Sequence, residues 1–392
     1  MAETKKVKLG LIGCGVRLSG VIDRTIKHHD NQIEVVGLCD VSEDAIADAR
    51  KRLRCPEAKV YEDHLALSQD PEIDWVCVGS WNVYHKEHIL GALEANKHVF
   101  TEKPLTTNID DCVVLKKAID KHSGLFSMGF VLRYAPFYKR IKALIDEGVI
   151  GQLISFEFNE TIGPDHGGYI MTDWRRKREW AGTHLLEKCC HDFDLANWIT
   201  GSAPVRAASF GDLDFFKPEN AHQMERIGPN EAGYPAYQGW WRVGLYTRKE
   251  NLNPFTSDKS IIDNQVAILQ YANGVHATFH TNLNTAIQER RMYLCGTEGT
   301  IRGDVLTGQI EYKRIDRTSA VMVEKTAGGG HGGADGIMSN ALRRSMLEGA
   351  APLVGLEDGI RSAVACFGVD AALDTGTVYD LQDMWGQVGI AL

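Results

Sequence analysis

The sequence predicts an α/β chain: a doubly wound parallel sheet, followed by an α+β domain with a large, mainly antiparallel sheet. Three observations carry this. From Val7 to about Ser127 short apolar runs alternate with helical stretches, the pattern of a parallel sheet with helices on both faces. After Arg133 the texture changes to longer β-rich segments, Leu153–Glu160, Val205–Asp212, Ile262–Tyr271 and Val275–Leu283. Between the last two, Asn273-Gly274 marks a hairpin turn.

In chain order, strands are expected over Val7–Ile12, Ile33–Cys39, Trp75–Gly79, His98–Thr101 and Leu125–Phe130. Helices are expected over Gly20–His28, Glu43–Leu53, His88–Asn96 and Asp110–Lys121. Residues 1–127 form the first domain of this reading and 128–392 the second. Helices in the second are expected over Tyr138–Glu147, Leu185–Ile199, Gly336–Glu348 and Leu356–Asp374, with a Gly-rich loop at Gly328–Gly333. The stretch 216–260 is polar and aromatic-rich without a period, and reads as an extended insertion or lid.

Composition narrows the function. The chain has 392 residues, 44% hydrophobic, enough to bury a core without disulfides. Lys plus Arg number 43 against 52 Asp plus Glu, a net charge of −9 that repels polyphosphate, so neither a nucleic-acid nor a membrane partner is expected. No apolar run reaches the roughly 18 residues of a membrane span. With no secretory signal visible and nine Cys lacking paired-ligand spacing, the expectation is reduced thiols, a cytoplasmic protein and no metal. Glycine, at 39 residues, is in excess and points to tight turns.

The first such turn is Gly13-Cys14-Gly15, after the first strand, with Val16 next in the chain. Glycines there let the backbone approach a pyrophosphate at a helix N-terminus. Leu18 stands where a third glycine would fall, which suggests a longer loop before the helix. Asp40 ends the second strand, 25 residues after Gly15. A carboxylate there accepts hydrogen bonds from the ribose hydroxyls and repels a 2′-phosphate, favouring NAD over NADP. Taken alone, the glycines also fit a plain strand-helix turn and Asp40 a solvated turn residue.

Further along come Val78-Gly79-Ser80-Trp81-Asn82-Val83-Tyr84-His85, then Glu102-Lys103-Pro104, Arg133 with Pro136, Trp174-Arg175, and Glu187-Lys188-Cys189-Cys190-His191-Asp192-Phe193-Asp194. Gly296–Thr300 and His331-Gly332-Gly333-Ala334-Asp335 come later still. In this order and over nearly the whole length, the sequence resembles the Gfo/Idh/MocA family, the glucose–fructose oxidoreductase and inositol dehydrogenase group. The resemblance implies a Rossmann domain binding NAD through Gly13, Gly15, Val16, Asp40, Ser80, Asn82, His85, Glu102, Lys103, Trp174 and Arg175. It implies Lys103, His191 and Glu187 as catalytic residues, and Lys103, Arg133, Tyr134, Tyr169, Arg175, Arg178, His191 and Asp194 around the substrate. A homodimer or homotetramer is implied too. The family pattern Asp-x-Gly-x-His-x-x-Asp is kept at His191 and Asp194 but has Glu187 for Asp and Cys189 for Gly.

The residues themselves support this chemistry while leaving alternatives. Lys103, after a strand and before a proline, projects from the C-terminal edge of a parallel sheet; it either polarises a substrate oxygen or pairs with Glu102 at the surface. On a helix, Glu187, His191 and Asp194 fall at i, i+4 and i+7, where His191 either takes a hydroxyl proton or fills a core. After Trp174-Arg175, the extra Arg176, Lys177 and Arg178 are either a solvated loop or hold one bidentate contact to an anionic sugar substituent. The resulting expectation is an NAD-dependent dehydrogenase acting on a hydroxyl of a sugar, sugar derivative or cyclitol. An alternative is a redox-neutral glycosidase, which oxidises C3 transiently, eliminates the aglycone, adds water and re-reduces. It would use the same Lys103 and His191 plus a base near C2, with Tyr134, Tyr169 and the aromatic insertion around Tyr234, Tyr237, Trp240 and Trp241 as contributors to the site. A non-catalytic NAD sensor is the third reading, disfavoured by the intact Lys103 and His191.

Overall fold

A computed structural model describes the chain apart from residues 1–5, 29–30, 230, 232 and 239–251. It divides into two compact units, Met1–Phe130 with Asp335–Ile360, and Val131–Ala334 with Arg361–Leu392.

The first unit holds a six-stranded parallel sheet of β1 (Val7–Ile12), β2 (Ile33–Cys39), β3 (Lys59–Val60), β4 (Trp75–Val78), β5 (His98–Thr101) and β6 (Phe126–Met128), in the order β3-β2-β1-β4-β5-β6. Its helices are α1 (Val16–Ile26), α2 (Glu43–Leu53), α3 (His64–Gln69), α4 (His85–Glu94) and α5 (Ile109–Ile119). β4 is buried along its whole length, as a strand covered on both faces must be. The expected doubly wound sheet is present, with two differences in its helices. α1 starts at Val16 rather than Gly20, because Gly15 is already the extended N-cap residue, so no longer loop precedes it. α3, capped by Asp63, and the two-residue β3 are additions too short to carry a periodic signal.

The segment 335–360, expected with the second domain, instead belongs to the first unit. The reason is visible in α11 (Ala334–Glu348): Ser339 Oγ donates to Val21 O (3.3 Å), and Arg343 Nη1 donates to Thr25 O (3.2 Å) and Ile26 O (3.0 Å). Thr25 and Ile26 lie in the last turn of α1, where the helix's own ladder leaves carbonyls open.

The second unit is built on a nine-stranded sheet. Its strands are β7 (Leu153–Thr161), β8 (Pro204–Asp212), β9 (Asn264–Tyr271), β10 (His276–Asn282), β11 (Arg291–Gly296), β12 (Gly299–Asp304), β13 (Gln309–Arg314), β14 (Met322–Lys325) and β15 (Tyr379–Asp380). They run in the order β14-β13-β12-β11-β7-β10-β9-β8-β15, antiparallel throughout except where β7 and β10 pair in parallel. The Asn273-Gly274 hairpin joins β9 to β10, with Gly274 at φ +87. The helices are α6 (Pro136–Asp146), α7 (Pro164–Thr172), α8 (Arg178–Ala181), α9 (His184–Thr200), α10 (Gln223–Ile227), α13 (Gln382–Val388) and, from Arg361 onward, α12 (Leu356–Thr375).

Helix α9 lies on the inner face of the sheet, where Phe193 packs edge-on to Phe158 and against Phe279, at 5.5 and 5.1 Å between ring centroids. The insertion is anchored by Phe216, Tyr237 and Phe255, buried with Ile170, Met171 and Leu283. Gly168 makes this docking possible, since a Cβ there would overlap the Tyr237 carbonyl oxygen. Trp240 and Trp241 lie outside the described residues.

One buried carboxyl in this unit predicts a pH dependence. Asp370 is 6% exposed, accepts from Thr183 Oγ1 (2.5 Å) and Gln265 Nε2 (3.5 Å), and is pushed up to about 7 by burial. Its folded value lies above its unfolded one, so the stability it confers is complete below about pH 4 and lost as pH rises through about 7. Asp370→Asn should therefore gain of the order of 2 kcal/mol on the wild type between about pH 5 and pH 8, read from denaturant midpoints. Parallel profiles for the two proteins would contradict this.

Candidate active site

The sheet of the first unit reverses its winding between β1 and β4, and in such folds ligands bind in the crevice beyond those strand ends. The turn after β1 is stitched to both neighbours: Gly13 N donates to Cys39 O (2.9 Å), and Gly79 N to Ile12 O (2.8 Å). Gly13 sits at φ +82 with Ser80 N where a Cβ would be. Gly15 faces open space, caps α1 without any side-chain bond, and is followed by Val16, 37% exposed. A helix N-terminus with its first amides uncapped and room above them fits a pyrophosphate.

Asp40 does more than its position suggested. Its Oδ2 accepts from Cys14 N (2.7 Å) and its Oδ1 from Ser42 N (2.8 Å), so it braces the glycine turn. Ser42 in turn caps α2 at Ala45 N. Asp40→Ser should thus raise the Kd for NAD roughly 10-fold, about the worth of one charge-assisted hydrogen bond, while narrowing the NAD-over-NADP preference. Titration with both reduced cofactors checks it; an unchanged preference would remove Asp40 from ribose recognition.

Beyond β4, Ser80 Oγ pairs with His88 Nδ1 (2.8 Å) and Asn82 is buried. His85 lies beneath this turn. It is 1% exposed, with Nδ1 2.7 Å from Pro104 O and Nε2 3.1 Å from Ser80 O, so it braces the turn after β5 from within. Burial pushes its pKa down, and the neutral ring has one proton to give. On the other side of that turn, Glu102 Oε1 accepts from Arg17 Nε (3.1 Å). Lys103 lies between these two anchors, followed by a cis bond to Pro104.

In the second unit the chemistry gathers on α9. Thr183 caps the helix at Leu186 N (3.1 Å) and Gly201, at φ +61, ends it. Glu187, His191 and Asp194 share one face and are buried. Arg175 Nε donates to Glu187 Oε1 (3.0 Å), and its Nη1 to Asp173 Oδ1 (2.6 Å) and Tyr169 OH (2.9 Å). Its guanidinium lies 4.5 Å over the Trp174 ring. Burial raises the Asp173 carboxyl although Arg175 opposes the shift.

Other candidates find different employment. Arg133 Nε and Nη2 grip Asp194 as a fork (2.7 and 2.8 Å), with the guanidinium 5.2 Å from the Trp198 ring. The pair ties the turn at Arg133 to α9. Tyr134 is buried, with Lys139 5.7 Å over its ring. The basic run is paired internally: Arg176 and Lys177 share Asp258 (2.8 and 2.7 Å), and Arg178 holds Asp374 (2.7 Å).

Two features escaped the sequence. Beneath α9, Arg290 forks onto Asp192 (2.8 and 2.7 Å) and also pairs with Glu160, which takes Lys188 at 3.1 Å. Nothing local marks Arg290 or Glu160 as partners of a helix about 100 residues away in the chain from the former. On α7, His166 is held neutral by burial, among Lys188, Glu160, Glu187 and His184.

A doubly wound sheet with an uncapped glycine turn, a braced Asp40 and an anchored Glu-Lys-Pro turn defines a dinucleotide-binding oxidoreductase. Residues 7–130 match the model of the oxidoreductase family's NAD-binding Rossmann fold, and residues 142–369 that of its C-terminal alpha/beta domain; the chain belongs to the Gfo/Idh/MocA family, and its first unit binds NAD. Among relatives, the chain is 25% identical over 374 residues to YteT of Bacillus subtilis (strain 168), named as an oxidoreductase, covering 84% of this chain and 87% of that protein. It is 37% identical over 194 residues to an inositol 2-dehydrogenase/D-chiro-inositol 3-dehydrogenase of Lacticaseibacillus casei, covering 49% of this chain and 53% of the relative, about half of each. The fold is shared with a levoglucosan dehydrogenase solved with NADH and levoglucosan, at TM-score 0.76 and 18% identity over 96% of this chain and 100% of that one. A scyllo-inositol dehydrogenase from Lactobacillus casei, solved with NAD(H) and scyllo-inositol, shares it at TM-score 0.70 and 20% identity over 96% and 100%. Among the described residues no helix is long and apolar enough to cross a membrane.

Proposed function

We propose that the chain is an NAD-dependent dehydrogenase acting on a hydroxyl of a sugar, sugar derivative or cyclitol. The observation that carries it is Lys103, at the C-terminal edge of the sheet that bears the glycine turn, with its backbone anchored on both sides. The names of the relatives, inositol and levoglucosan dehydrogenases, support the substrate class. Bound NAD supplies the hydride acceptor. In this reading the Lys103 ammonium donates to the substrate oxygen and stabilises its negative charge as the C–H bond weakens. His191 takes the hydroxyl proton, imidazole being the side chain suited to accept and return a proton near neutral pH. Glu187, one turn earlier and held by Arg175, orients the imidazole or a neighbouring hydroxyl. The test is a panel of cyclitols and sugars with the purified protein and NAD, read by absorbance of reduced nicotinamide. One or more should react, and His191→Ala should lose about 10²-fold or more in kcat.

The redox-neutral glycosidase has one observation in its favour: His166, neutral and close to Glu187 and Lys188, is a second imidazole able to remove a proton beside a transient ketone. Release of aglycone from aryl glycosides without accumulated reduced nicotinamide would select that reading. The self-association we infer, a homodimer or homotetramer, is supported by Ile154, Phe210, Val266 and Ile268, all exposed on strands of the large sheet. Nine cysteines, all free thiols, suit a reducing compartment such as the cytoplasm.

A further inference from the structure

The Gly333-Ala334-Asp335 motif has no part in the chemistry above, yet Asp335 meets the first turn of α1. Arg17, the second residue of that helix, donates from Nε to Glu102 Oε1 (3.1 Å) and from Nη1 to Asp335 Oδ1 (2.6 Å). Glu102 is 6% exposed, and its own N–H is bonded to Val78 O (2.9 Å). One guanidinium thus ties together three pieces of the first unit: the helix whose N-terminus fits a pyrophosphate, the residue preceding Lys103, and the start of α11, 318 positions along the chain. The fork suits this, since its donors point in fixed directions toward separate carboxylates.

We propose that Arg17 is a positioning residue for Lys103: by fixing Glu102 against the first turn of α1, with Asp335 holding the guanidinium from behind, it sets where the Lys103 ammonium stands relative to bound NAD. His85 performs the complementary task at Pro104 O, so the Lys103 backbone is held from both flanks. A buried carboxylate released from its cation seeks another partner, and the adjacent cation along the chain is Lys103 itself. Loss of Arg17 therefore turns Lys103 back toward Glu102 without removing the glycine turn.

The inference rests on the proposed role of Lys103, and its test needs no substrate. Lys103 is acetylated with a water-soluble acyl ester, with and without saturating NADH, and its labelling rate is read by peptide mass spectrometry. NADH affinity is measured in parallel by fluorescence. In the wild type NADH should slow labelling about 10-fold. In Arg17→Met the slowing should fall to about 2-fold or less while the Kd for NADH stays within about 3-fold, and Arg17→Lys should restore most of it. Glu102→Gln should lower shielding alone but add little to Arg17→Met, because the clamp is then already open. Shielding in Arg17→Met equal to wild type, or lost only in proportion to NADH binding, would overturn the clamp and leave the dehydrogenase reading intact. No shielding in the wild type would overturn the placement of Lys103 itself, and the clamp with it.

Discussion

Lys103→Met should abolish turnover, with kcat falling about 10³-fold, some 4 kcal/mol of transition-state stabilisation, while the Kd for NAD changes by no more than a few-fold. Methionine keeps the length of the side chain and removes the charge, so the loss isolates the ammonium. The backbone around the residue should be unaffected, since Glu102 is held by Arg17 and Pro104 by His85. Stopped-flow measurement of reduced nicotinamide, with NAD binding titrated separately, distinguishes the outcomes. A variant that turns over normally once saturated with NAD would make Lys103 a cofactor ligand and nothing more.

The largest effect on stability is expected at Arg290. Its guanidinium is 4% exposed and is shared by Asp192 and Glu160, with Lys188 completing a balanced group of two cations and two carboxylates beneath α9. Burial pushes the Asp192 carboxyl up; burial also raises Glu160, but Arg290 and Lys188 more than reverse it. Arg290→Met leaves two buried carboxylates facing a single ammonium, at a cost of about 3–5 kcal/mol in denaturant unfolding. In the variant the carboxylates take up a proton on folding, so its deficit should grow as pH rises from about 5 to about 8. Adding Asp192→Asn should recover part of the loss, since it removes the unpaired charge. A deficit independent of pH would mean that packing of the arginine stem dominates.

Legibility in the sequence depends on how far each signal extends along the chain. β1, β2 and β5 are apolar runs bounded by Gly13, Asp40 and Lys103, and those residues announce both the strand end and the ligand edge. α9 was legible because Glu187, His191 and Asp194 repeat at helical spacing. The partners of these residues were not. Arg133 reaches Asp194 across 61 positions, Arg290 reaches Asp192 across 98, and Arg17 reaches Asp335 across 318, and no local pattern encodes such pairings. The parallel pairing of β7 and β10 and the return of 335–360 to the first unit are likewise products of tertiary packing. The same holds for charge: Arg176, Lys177 and Arg178 stand out as a basic run, but their partners Asp258 and Asp374 are brought to them only by the fold.

The central claim, net hydride removal from a polyol carbon assisted by Lys103, is tested most directly by a single turnover. The protein is mixed with one equivalent of NAD and a cyclitol or sugar deuterated at its carbinol carbons, and the cofactor is recovered for mass spectrometry. Deuterium should appear in reduced nicotinamide with the wild type and be absent with Lys103→Met. Nicotinamide left oxidised and unlabelled with every polyol tried, in wild-type protein shown to hold NAD, would contradict the account.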